Sequence, residues 1–386
     1  MRIIIIHRSF ALTGGAERVI IDKANYLTSK GHVVKLVSYE QGMHSISYPL
    51  DDSVLVEDVD CRFFTLSRYT PLVHMYHFLK LKRKFKEATQ NIFRQFRPDV
   101  IILASDWQFL IQPLLKAAGR IPVMCEFHNS YDYIVKNIGQ EHFSIKEKLI
   151  KTYYQFAIRA VGKCVKLISL TENDARHWRK LNKHVSVIPN PLFCYPESID
   201  DVAKMPNRII SVGRLNCQKR LDRLITAFSL IANQYPDWYI DIFGEGTEKE
   251  TLEKQIDSLG LGKRITINPP TKNIFKEYKK AQFLVLSSEY EGRPLVLTES
   301  MTCGTPCLSF NCPSGPAEII DDNITGLLAK NGDVKDLSEK MEWLITHDNE
   351  RQEMGRKARL ATEKYKPTFI LKEWEEAYCS INNNQI

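Results

Sequence analysis

The sequence has no apolar run long enough to cross a membrane. None of its stretches approaches the ~18 consecutive apolar residues that a membrane helix requires. The amino-terminal run Ile3 to Ile6 stops at His7, which makes it too short for the apolar part of a secretory signal. We therefore expect a cytosolic protein and interpret this run as the first β-strand.

The sequence also lacks a C-x-x-C pair, and its nine cysteines are odd in number and scattered. The only cluster is Cys303, Cys307 and Cys312, and no histidine follows it at zinc-finger spacing. This pattern disfavours a zinc site or a disulfide framework. We expect free, mostly buried thiols.

No internal repeat or low-complexity segment interrupts the 386 residues, a length that suits two domains of ~150–200 residues. Hydrophobic residues make up 44% and charged residues 26%, which is typical of a globular enzyme. The net charge of +7 is uneven: residues 1–200 carry 28 Lys and Arg against 19 Asp and Glu, and residues 201–386 carry 25 against 27. A basic half predicts an anionic partner such as a phospholipid surface, a lipid diphosphate or nucleic acid.

Short apolar runs alternate with helical periodicity along the chain. The run 2–6 is followed by a Gly-rich turn at 12–15, a helix at 16–30 and a second strand at 33–37. This alternation predicts parallel strands that are buried on both faces. Further strands are predicted at 100–103, 123–125, 167–170, 185–188, 208–212, 238–243, 265–267, 283–286 and 306–309.

Pro189-Asn190-Pro191 and the polar stretch up to Pro206 interrupt the alternation and predict a linker. We therefore expect an α/β protein with two doubly wound, Rossmann-like domains, formed by residues 1–190 and 191–365. Because such folds bind ligands at the carboxyl ends of their strands, we expect the two domains to face each other across a cleft.

The first candidate motif, Gly14-Gly15-Ala16-Glu17, follows the first strand and opens a helix. Glycine lets the backbone approach a ligand closely, and a helix amino terminus offers unpaired N–H groups to an anion. The motif is not G-x-G-x-x-G, so the dinucleotide-binding pattern is not met. An ordinary tight turn is an equal alternative.

The second candidate motif consists of Arg214 and Lys219, which follow Gly213 at the end of a predicted strand. A guanidinium fork and a mobile ammonium group would together neutralise a diphosphate leaving group. The alternative is a solvated turn.

The third candidate motif is the pair Glu291 and Glu299, which flank a predicted helix start. Pro294 fits the first helical position, so the next amides can hold a phosphate. Carboxylates are charged and only accept hydrogen bonds, which suits vicinal diols: sugar hydroxyls for Glu291 and a ribose for Glu299. The amides concerned belong to Leu295, Val296 and Leu297.

These three motifs together resemble the retaining nucleotide-sugar glycosyltransferases of family 4, which have the GT-B fold. The resemblance is strong over about 207–335, and on the amino side it is carried near Gly15 and by Glu126-Phe127-His128-Asn129. Further matching pieces lie at 187–190, 243–246, 301–306, 316–320 and 325–328.

The resemblance implies roles for individual residues. The implied catalytic residues are His128, Arg214, Lys219 and Glu291. His128 would end a strand of the acceptor domain and face the donor sugar, with Glu126 on the same side of that strand. The implied donor-binding residues are Gly15, Gly213, Arg214, Lys219, Gly244, Pro270, Glu291, Pro294, Leu295, Val296 and Glu299.

Two positions depart from the family pattern. Arg220 stands where the family usually has glycine after its lysine, and Pro269-Pro270 replaces the usual glycine near the nucleobase. We therefore expect the base to contact backbone atoms between Asn268 and Asn273. As in relatives, a carboxyl-terminal helix within 366–386 is expected to pack back on the first domain.

The expected mechanism follows from charge. Breaking the anomeric bond adds negative charge to the departing diphosphate, which Arg214, Lys219 and the helix amides would stabilise. The resemblance implies a retained anomeric configuration, attack from the leaving-group face, and neither a metal nor a cofactor besides the nucleotide-sugar substrate. The single D-x-D, Asp58-Val59-Asp60, is expected in an early loop of the other domain and not to bind metal. Glu291 is expected to bind hydroxyls and not to act as a covalent nucleophile.

A cationic amphipathic stretch runs from Tyr76 to Arg97, and Lys146, Lys148 and Lys151 add to the basic character. Such a helix can lie on an anionic bilayer with its aromatic residues in the interface. The alternative is a Rossmann helix whose aromatic residues face the sheet. The apolar residues of this stretch, between its basic ones, are Phe78, Leu81, Phe85, Phe93 and Phe96.

The donor motifs and the charge asymmetry favour a hexosyl- or N-acetylhexosaminyltransferase. It would use a UDP-sugar and a lipid-linked or polysaccharide acceptor in cell-surface glycan biosynthesis, at the cytoplasmic face of the membrane. A nucleotide-sugar epimerase or phosphorylase of the same fold is an alternative. So is a non-enzymatic anion-binding protein, although the sequence contains no recognised nucleic-acid module.

Overall fold

The computed structural model describes residues 1–104, 108–136, 157–199 and 201–381. The chain divides into two compact units. Unit 1 consists of Met1–Phe193 and Thr368–Ile386, and unit 2 consists of Cys194–Pro367.

Unit 1 is built on a parallel sheet with the strand order β3-β2-β1-β4-β5-β6-β7. Its strands are β1 (Arg2–His7), β2 (Val33–Ser38), β3 (Leu55–Asp58), β4 (Val100–Ala104), β5 (Val123–Phe127), β6 (Lys166–Ser169) and β7 (Val185–Val187). Residues 3–6 of β1 are fully buried, as expected for a central parallel strand with both faces covered. The strand order reverses between β1 and β4, so β1 is the topological switch of this unit.

The described helices of this part of the chain are α1 (Gly15–Ser29), α2 (Pro71–Phe96), α3 (Ile111–Ala118), α4 (Tyr131–Lys136) and α5 (Glu172–Trp178). Short 3-10 turns occupy Phe63–Arg68, Gln108–Leu110 and Ala160–Lys163. The second half of α2 places Phe85, Phe93 and Phe96 in the hydrophobic core.

Unit 2 contains a second parallel sheet with the order β10-β9-β8-β11-β12-β13. Its strands are β8 (Arg208–Val212), β9 (Tyr239–Phe243), β10 (Ile265–Asn268), β11 (Phe283–Leu286), β12 (Cys307–Phe310) and β13 (Gly326–Ala329). Its helices are α6 (Leu221–Ile231), α7 (Lys249–Ser258), α8 (Ile274–Lys280), α9 (Leu295–Thr302), α10 (Pro316–Ile319), α11 (Val334–Thr346) and α12 (Asp348–Ala361), and a 3-10 turn at Glu363–Tyr365 follows. Here the order reverses between β8 and β11, which places the switch point of the sheet at the ends of these two strands.

The last helix, α13 (Pro367–Cys379), packs on unit 1. The indole N–H of Trp374 donates a 3.0 Å hydrogen bond to the carbonyl oxygen of Pro189, and Trp374 and Tyr378 are almost completely buried. The chain thus returns to the unit in which it began.

Two edge strands were absent from the sequence prediction. Among the described residues, β3 pairs only with β2, and its Leu55 and Val56 are about half exposed. Its sequence, Leu55 to Asp58, lacks the continuous apolar run of a buried strand. β13 is a four-residue strand that pairs only with β12 among the sheet strands. Their pairing partners, more than their own sequences, make them strands.

Candidate functional site

The first part of the candidate site is the loop that leaves β8. The amide of Gly213 donates to the carbonyl of Phe243 at 3.0 Å, and the amide of Leu215 donates to Glu245 at 2.8 Å, so the loops after β8 and β9 run side by side. Arg214, between these anchors, is exposed and has no ion pair among the residues that the structure describes. Its guanidinium group is therefore available to an anion.

Close backbone contact explains the glycines of these loops. A β-carbon on Gly244 would overlap the carbonyl oxygen of Gly213, and one on Gly213 would lie 3.0 Å from the Cε of Lys219. The missing side chains let the two loops touch and let the Lys219 side chain lie flat against the backbone.

Lys219 and Glu291 form a salt bridge across the switch point. Their Nζ and Oε1 atoms are 2.6 Å apart, and the side chains are only 13% and 9% exposed. The two loops are also joined by hydrogen bonds from the Glu289 amide to the Gln218 carbonyl at 2.8 Å and from the Ser287 hydroxyl to the Lys219 carbonyl at 2.9 Å. Both charged residues were expected in one site, but their pairing with each other was not predicted.

Helix α9 supplies amides beside this salt bridge. It begins at Leu295, and Pro294 is its N-cap with an extended backbone, so the prediction of Pro294 at the first helical position is wrong by one residue. The Leu297 amide is bonded to the Pro294 carbonyl at 3.2 Å, which also corrects its prediction as a free donor. The amides of Leu295 and Val296 donate to no other residue that the structure describes.

Glu299 is the buried carboxylate of α9. The hydroxyl of Tyr278 donates to its Oε2 at 3.0 Å, and both side chains are shielded from solvent. Burial, followed by the charge of Glu299, raises the pKa of Tyr278 well above its ordinary value, so the hydroxyl keeps its proton and remains a donor. Sequence reasoning missed Tyr278, because nothing in the helical pattern of 274–280 distinguishes a core tyrosine from one that holds a carboxylate.

The structure places both departures from the family pattern, Arg220 and Pro270, in loops that follow strands of the unit 2 sheet. Arg220 adopts a left-handed backbone with φ of 44°, a conformation that costs least for glycine, and its guanidinium is held by Asp222 and Glu289. Pro270 is exposed just beyond the end of β10. The predicted donor-binding residues 213–219, 244, 270 and 291–299 thus follow four adjacent strands, in the sheet order β10-β9-β8-β11.

Unit 1 contributes a separate cluster around the end of β5. Glu126 and His128 lie on the same side of the strand, as predicted, with 3.2 Å between Glu126 Oε2 and His128 Nε2. Glu126 also accepts a 2.5 Å hydrogen bond from Lys23 of α1 and another from the Tyr378 hydroxyl of α13. Sequence reasoning identified the histidine and the glutamate but not Lys23 or Tyr378, which are 103 and 252 residues from Glu126.

Gly15 is exposed at the first position of α1, with Gly14 as the N-cap. The carboxylate of Glu17 folds back so closely that a β-carbon on Gly14 would overlap it, and its Oε1 is 3.6 Å from His7 Nε2. Of the two glycines, Gly14 is thus in contact with a side chain, and Gly15 is the exposed one.

Other candidates have structural partners. Asp58 is the last residue of β3 and not part of a loop, a correction to the prediction, and it accepts bonds from Ser38 and the Gly42 amide at 2.9 Å. Asp60 pairs with Arg62 and Lys84. The described residues contain no group of three or more His, Cys, Asp or Glu side chains arranged to hold a metal ion.

Six of the nine cysteines are buried, which confirms the prediction of mostly buried free thiols. Burial raises the pKa of Cys303 and Cys307 to about 12, so these thiols stay protonated and unreactive. They pack in the core of unit 2.

Helix α2 corrects the prediction of an interfacial aromatic face. Its aromatic residues Phe85, Phe93 and Phe96 are buried, and Phe78 and Leu81 pack against the same core, so the alternative reading, aromatic residues facing the sheet, is confirmed. A different apolar stripe is exposed nearer the helix start, at positions i, i+3, i+4 and i+7: Leu72, Met75, Tyr76 and Leu79. Lys146, Lys148 and Lys151 lie outside the described residues.

Among the described residues, no helix combines the length and the apolar character that a membrane crossing needs.

Two family models match the chain. One, described as Glycosyltransferase Family 4, matches residues 13–192, and the other, described as Glycosyl transferases group 1, matches residues 198–361.

Three known proteins are similar over nearly the whole length. The amylovoran biosynthesis glycosyltransferase AmsD of Erwinia amylovora is 25% identical over 97% of this chain and 99% of its own. The GalNAc-alpha-(1->4)-GalNAc-alpha-(1->3)-diNAcBac-PP-undecaprenol alpha-1,4-N-acetyl-D-galactosaminyltransferase of Campylobacter jejuni is 26% identical over 96% of both chains. The crystal structure of a mutant of S. aureus TarM with Fondaparinux, alpha-GlcNAc-glycerol and UDP superposes with a TM-score of 0.74 at 15% identity, covering 97% of this chain and 99% of that chain. This likeness confirms the predicted α/β class with two Rossmann-like domains.

Proposed function

Because the chain belongs to the family 4-like glycosyltransferases of the GT-B fold, we propose that it transfers a hexose or N-acetylhexosamine from a UDP-sugar, with retention of anomeric configuration. The acceptor is a lipid-linked glycan or a polysaccharide in cell-surface glycan biosynthesis. The proposal draws on the relatives named for amylovoran biosynthesis and for an undecaprenol-linked substrate, and on the UDP in the TarM structure.

One observation carries the donor assignment: the Lys219–Glu291 salt bridge lies at the switch point of the unit 2 sheet, on the loops that follow β8 and β11. Arg214 precedes it on the same loop without a counter-ion in the described structure, and α9 offers two free amides in the next segment. Cations and helix amides together suit the oxygens of a diphosphate. The ends of strands at a switch point are where open α/β sheets bind nucleotides.

The roles in the reaction follow from these charges. As the anomeric bond breaks, its electron pair passes to the diphosphate oxygen, and Arg214, Lys219 and the amides of Leu295 and Val296 stabilise the added negative charge. The acceptor hydroxyl attacks from the face that the diphosphate leaves, so the configuration is retained, and its proton passes to the departing diphosphate oxygen. We assign Glu291 to the sugar hydroxyls, because a carboxylate has two acceptor oxygens and the ion pair with Lys219 makes it a poor nucleophile. In this scheme fixed cations take the part of a divalent metal.

Glu299 offers the most specific test of the donor. We expect wild-type protein to bind UDP more tightly than 2′-deoxy-UDP, because a carboxylate can accept hydrogen bonds from both ribose hydroxyls. Glu299→Gln is expected to bind UDP about 10-fold more weakly and to lose most of this preference, since a hydrogen bond to a charged group contributes about 1.5–3 kcal/mol. Titration calorimetry with the two nucleotides measures both effects.

The matched control is Glu253→Gln, which removes an exposed carboxylate from a surface ion pair with Lys249 in the same unit. It should leave both affinities unchanged. Equal affinity of the wild-type protein for UDP and its deoxy analogue would contradict the ribose assignment. A thermal-shift panel in which ADP or GDP stabilised the protein as well as UDP would contradict the choice of base.

We also propose that unit 1 touches an anionic membrane through the exposed stripe of α2. A soluble helix needs one apolar face, and α2 has a second one, in which Leu72 is 88% and Tyr76 is 64% exposed. Lys80 and Arg83 follow one turn after Tyr76 and Leu79, so positive charge lies directly behind the apolar tip. Apolar insertion next to basic residues is typical of peripheral binding to anionic bilayers.

Leu72→Ser/Leu79→Ser is therefore expected to weaken binding to vesicles that contain anionic phospholipid by more than 10-fold, because each buried leucine contributes about 1.5–3 kcal/mol. Vesicle co-sedimentation measures the change. The control, Leu230→Ser/Leu360→Ser, removes two exposed leucines from unit 2 and should bind like the wild type. Equal binding by the two double variants would rule out this surface.

A further inference from the structure

Unit 1 buries three interacting polar groups that the donor chemistry does not use. Lys23, Glu126 and Tyr378 are each at most 1% exposed, and they come from α1, β5 and α13. A buried charge is costly unless it is paired and all its hydrogen-bonding positions are filled. Apolar side chains of similar volume would stabilise the core as well as this buried ion pair does. Stability alone therefore does not account for the pair.

Lys23 and Tyr378 both bind the carboxylate of Glu126. Lys23 Nζ is 2.5 Å from Glu126 Oε2 and 3.1 Å from the Tyr378 oxygen, and it lies 3.7 Å from the centroid of the Trp374 ring. The Tyr378 hydroxyl donates to Glu126 Oε1. Burial by itself raises the pKa of Glu126, but Lys23 and His128 outweigh it and bring the value down to about 2. Glu126 is therefore a carboxylate, which accepts hydrogen bonds and cannot donate one.

This state of Glu126 determines the state of His128. The ring nitrogen 3.2 Å from Glu126 is Nε2, and facing a carboxylate it must carry a proton. Burial, acting against the hydrogen bond to Glu126, lowers the pKa of His128, and the positive charge of Lys23 acts in the same direction. The ring is then neutral, and Nδ1 holds a bare lone pair. Nδ1 is buried and has no hydrogen-bond partner among the described residues, which is unusual for a native polar atom.

We infer that Lys23, Glu126 and Tyr378 are positioning residues: they hold His128 in the tautomer with its proton on Nε2, so that Nδ1 accepts a hydrogen bond from a hydroxyl group of the sugar substrate. The substrate half of this inference rests on the proposed function. The tautomer half concerns the ligand-free protein alone. The carboxyl-terminal helix thereby acts on the histidine, because Tyr378 and Trp374 complete the enclosure of Lys23 and Glu126.

The tautomer can be read directly from protein labelled with ¹⁵N in its histidine rings, since protonated and bare ring nitrogens differ strongly in chemical shift. The chain has 10 histidines, and the His128 signals are identified as those missing from His128→Asn. In the wild type we expect the proton on Nε2 alone. In Lys23→Met/Glu126→Gln we expect both tautomers, because an amide can either donate to or accept from the ring. The double change removes both charges and leaves neither buried without a partner.

The same variants separate positioning from substrate binding. The double variant is expected to show about 10-fold lower kcat with an unchanged KM for the UDP-sugar, and Glu126→Asp, which keeps the carboxylate, should recover part of the loss. If the double variant does not fold, Tyr378→Phe removes a single hydroxyl and should still shift the His128 signals. Its control is Tyr26→Phe, which breaks another α1–α13 hydrogen bond, to Glu375 at 3.2 Å, without touching Glu126.

A wild-type ring with its proton on Nδ1, or a double variant that keeps the Nε2 proton alone, would overturn the inference. So would a Tyr378→Phe spectrum identical to those of Tyr26→Phe and the wild type. A mixed-tautomer variant with wild-type kcat would overturn the substrate half. Failure of the wild type to transfer sugar from any UDP-sugar overturns the proposed function and the substrate half with it, whereas the ligand-free spectra still decide the tautomer.

Discussion

Lys219→Met is expected to lower kcat/KM for sugar transfer by about 10²- to 10³-fold, the loss typical of removing one preorganised group from a developing negative charge. Lys219 is the only ammonium group on the β8 loop, and it is held 2.6 Å from Glu291 at the switch point. Methionine keeps the length of the side chain and its contact with Gly213, so the variant removes chiefly the charge. Steady-state kinetics with a UDP-sugar and a chromatographic product assay give the number.

Removing Lys219 also leaves Glu291 without its counter-ion in a mostly buried place, which costs on the order of 3 kcal/mol. Part of any lost activity would then reflect an unfolded fraction. Lys219→Met/Glu291→Gln separates the two effects, because it restores the balance of charge and should recover thermal stability without recovering turnover. Lys249→Met, at an exposed surface pair, is the matched control and should behave as the wild type. Turnover of Lys219→Met within twofold of the wild type would contradict the assignment of this residue to the leaving group.

Gly244→Ala is expected to destabilise unit 2 by about 3 kcal/mol, at the upper end of the usual cost of overpacking. A β-carbon at this position overlaps the carbonyl oxygen of Gly213, a backbone atom that cannot rotate away, so the loops after β8 and β9 must separate. For a unit of this size the midpoint of thermal unfolding should fall by roughly 6–12 °C. Overpacking at this position displaces the loop that carries Arg214 and Lys219. UDP affinity should therefore fall more than 10-fold.

Gly262→Ala is the control for this substitution. A β-carbon there would meet only the end of the Asp257 side chain, at 3.3 Å, and we expect the midpoint to change by about 1 °C or less. Differential scanning calorimetry with and without UDP measures both variants. If Gly244→Ala unfolded at the same temperature as Gly262→Ala and bound UDP equally well, the two loops would not be in the contact described here.

The positions of the predicted donor-binding residues at strand ends could be predicted from the sequence. A run such as 208–212 predicts a buried strand, the next residues must lie at its carboxyl edge, and Arg214 and Lys219 are therefore placed together by local spacing alone. The start of α9 shows the limit of that reasoning. Its boundary lies one residue later than predicted, with Pro294 as the N-cap. The Leu297 amide is bonded through a tight turn to the Pro294 carbonyl three residues back, which spacing alone does not reveal.

Helix α2 shows a different limit. Its aromatic residues and its basic residues are visible in the sequence, but a helix that is apolar on two sides does not reveal which side faces the core. Phe78 and Phe85 pack inward, and Leu72 and Tyr76 stay exposed. Which face becomes buried depends on the core that the helix packs against, because the hydrophobic effect favours the face that contacts other apolar surface.

The sequence by itself determined the α/β alternation, the glycines at close backbone contacts, and the charged residues that follow strand ends, because each is a local pattern of polarity, size or spacing. Only the tertiary structure decided which of those charges meet. Lys219 reaches Glu291 over 72 residues, and Lys23 and Tyr378 reach Glu126 over 103 and 252. Such pairs depend on strand order and on the return of α13 to unit 1, and at hydrogen-bonding distance a shift of one ångström makes or breaks them.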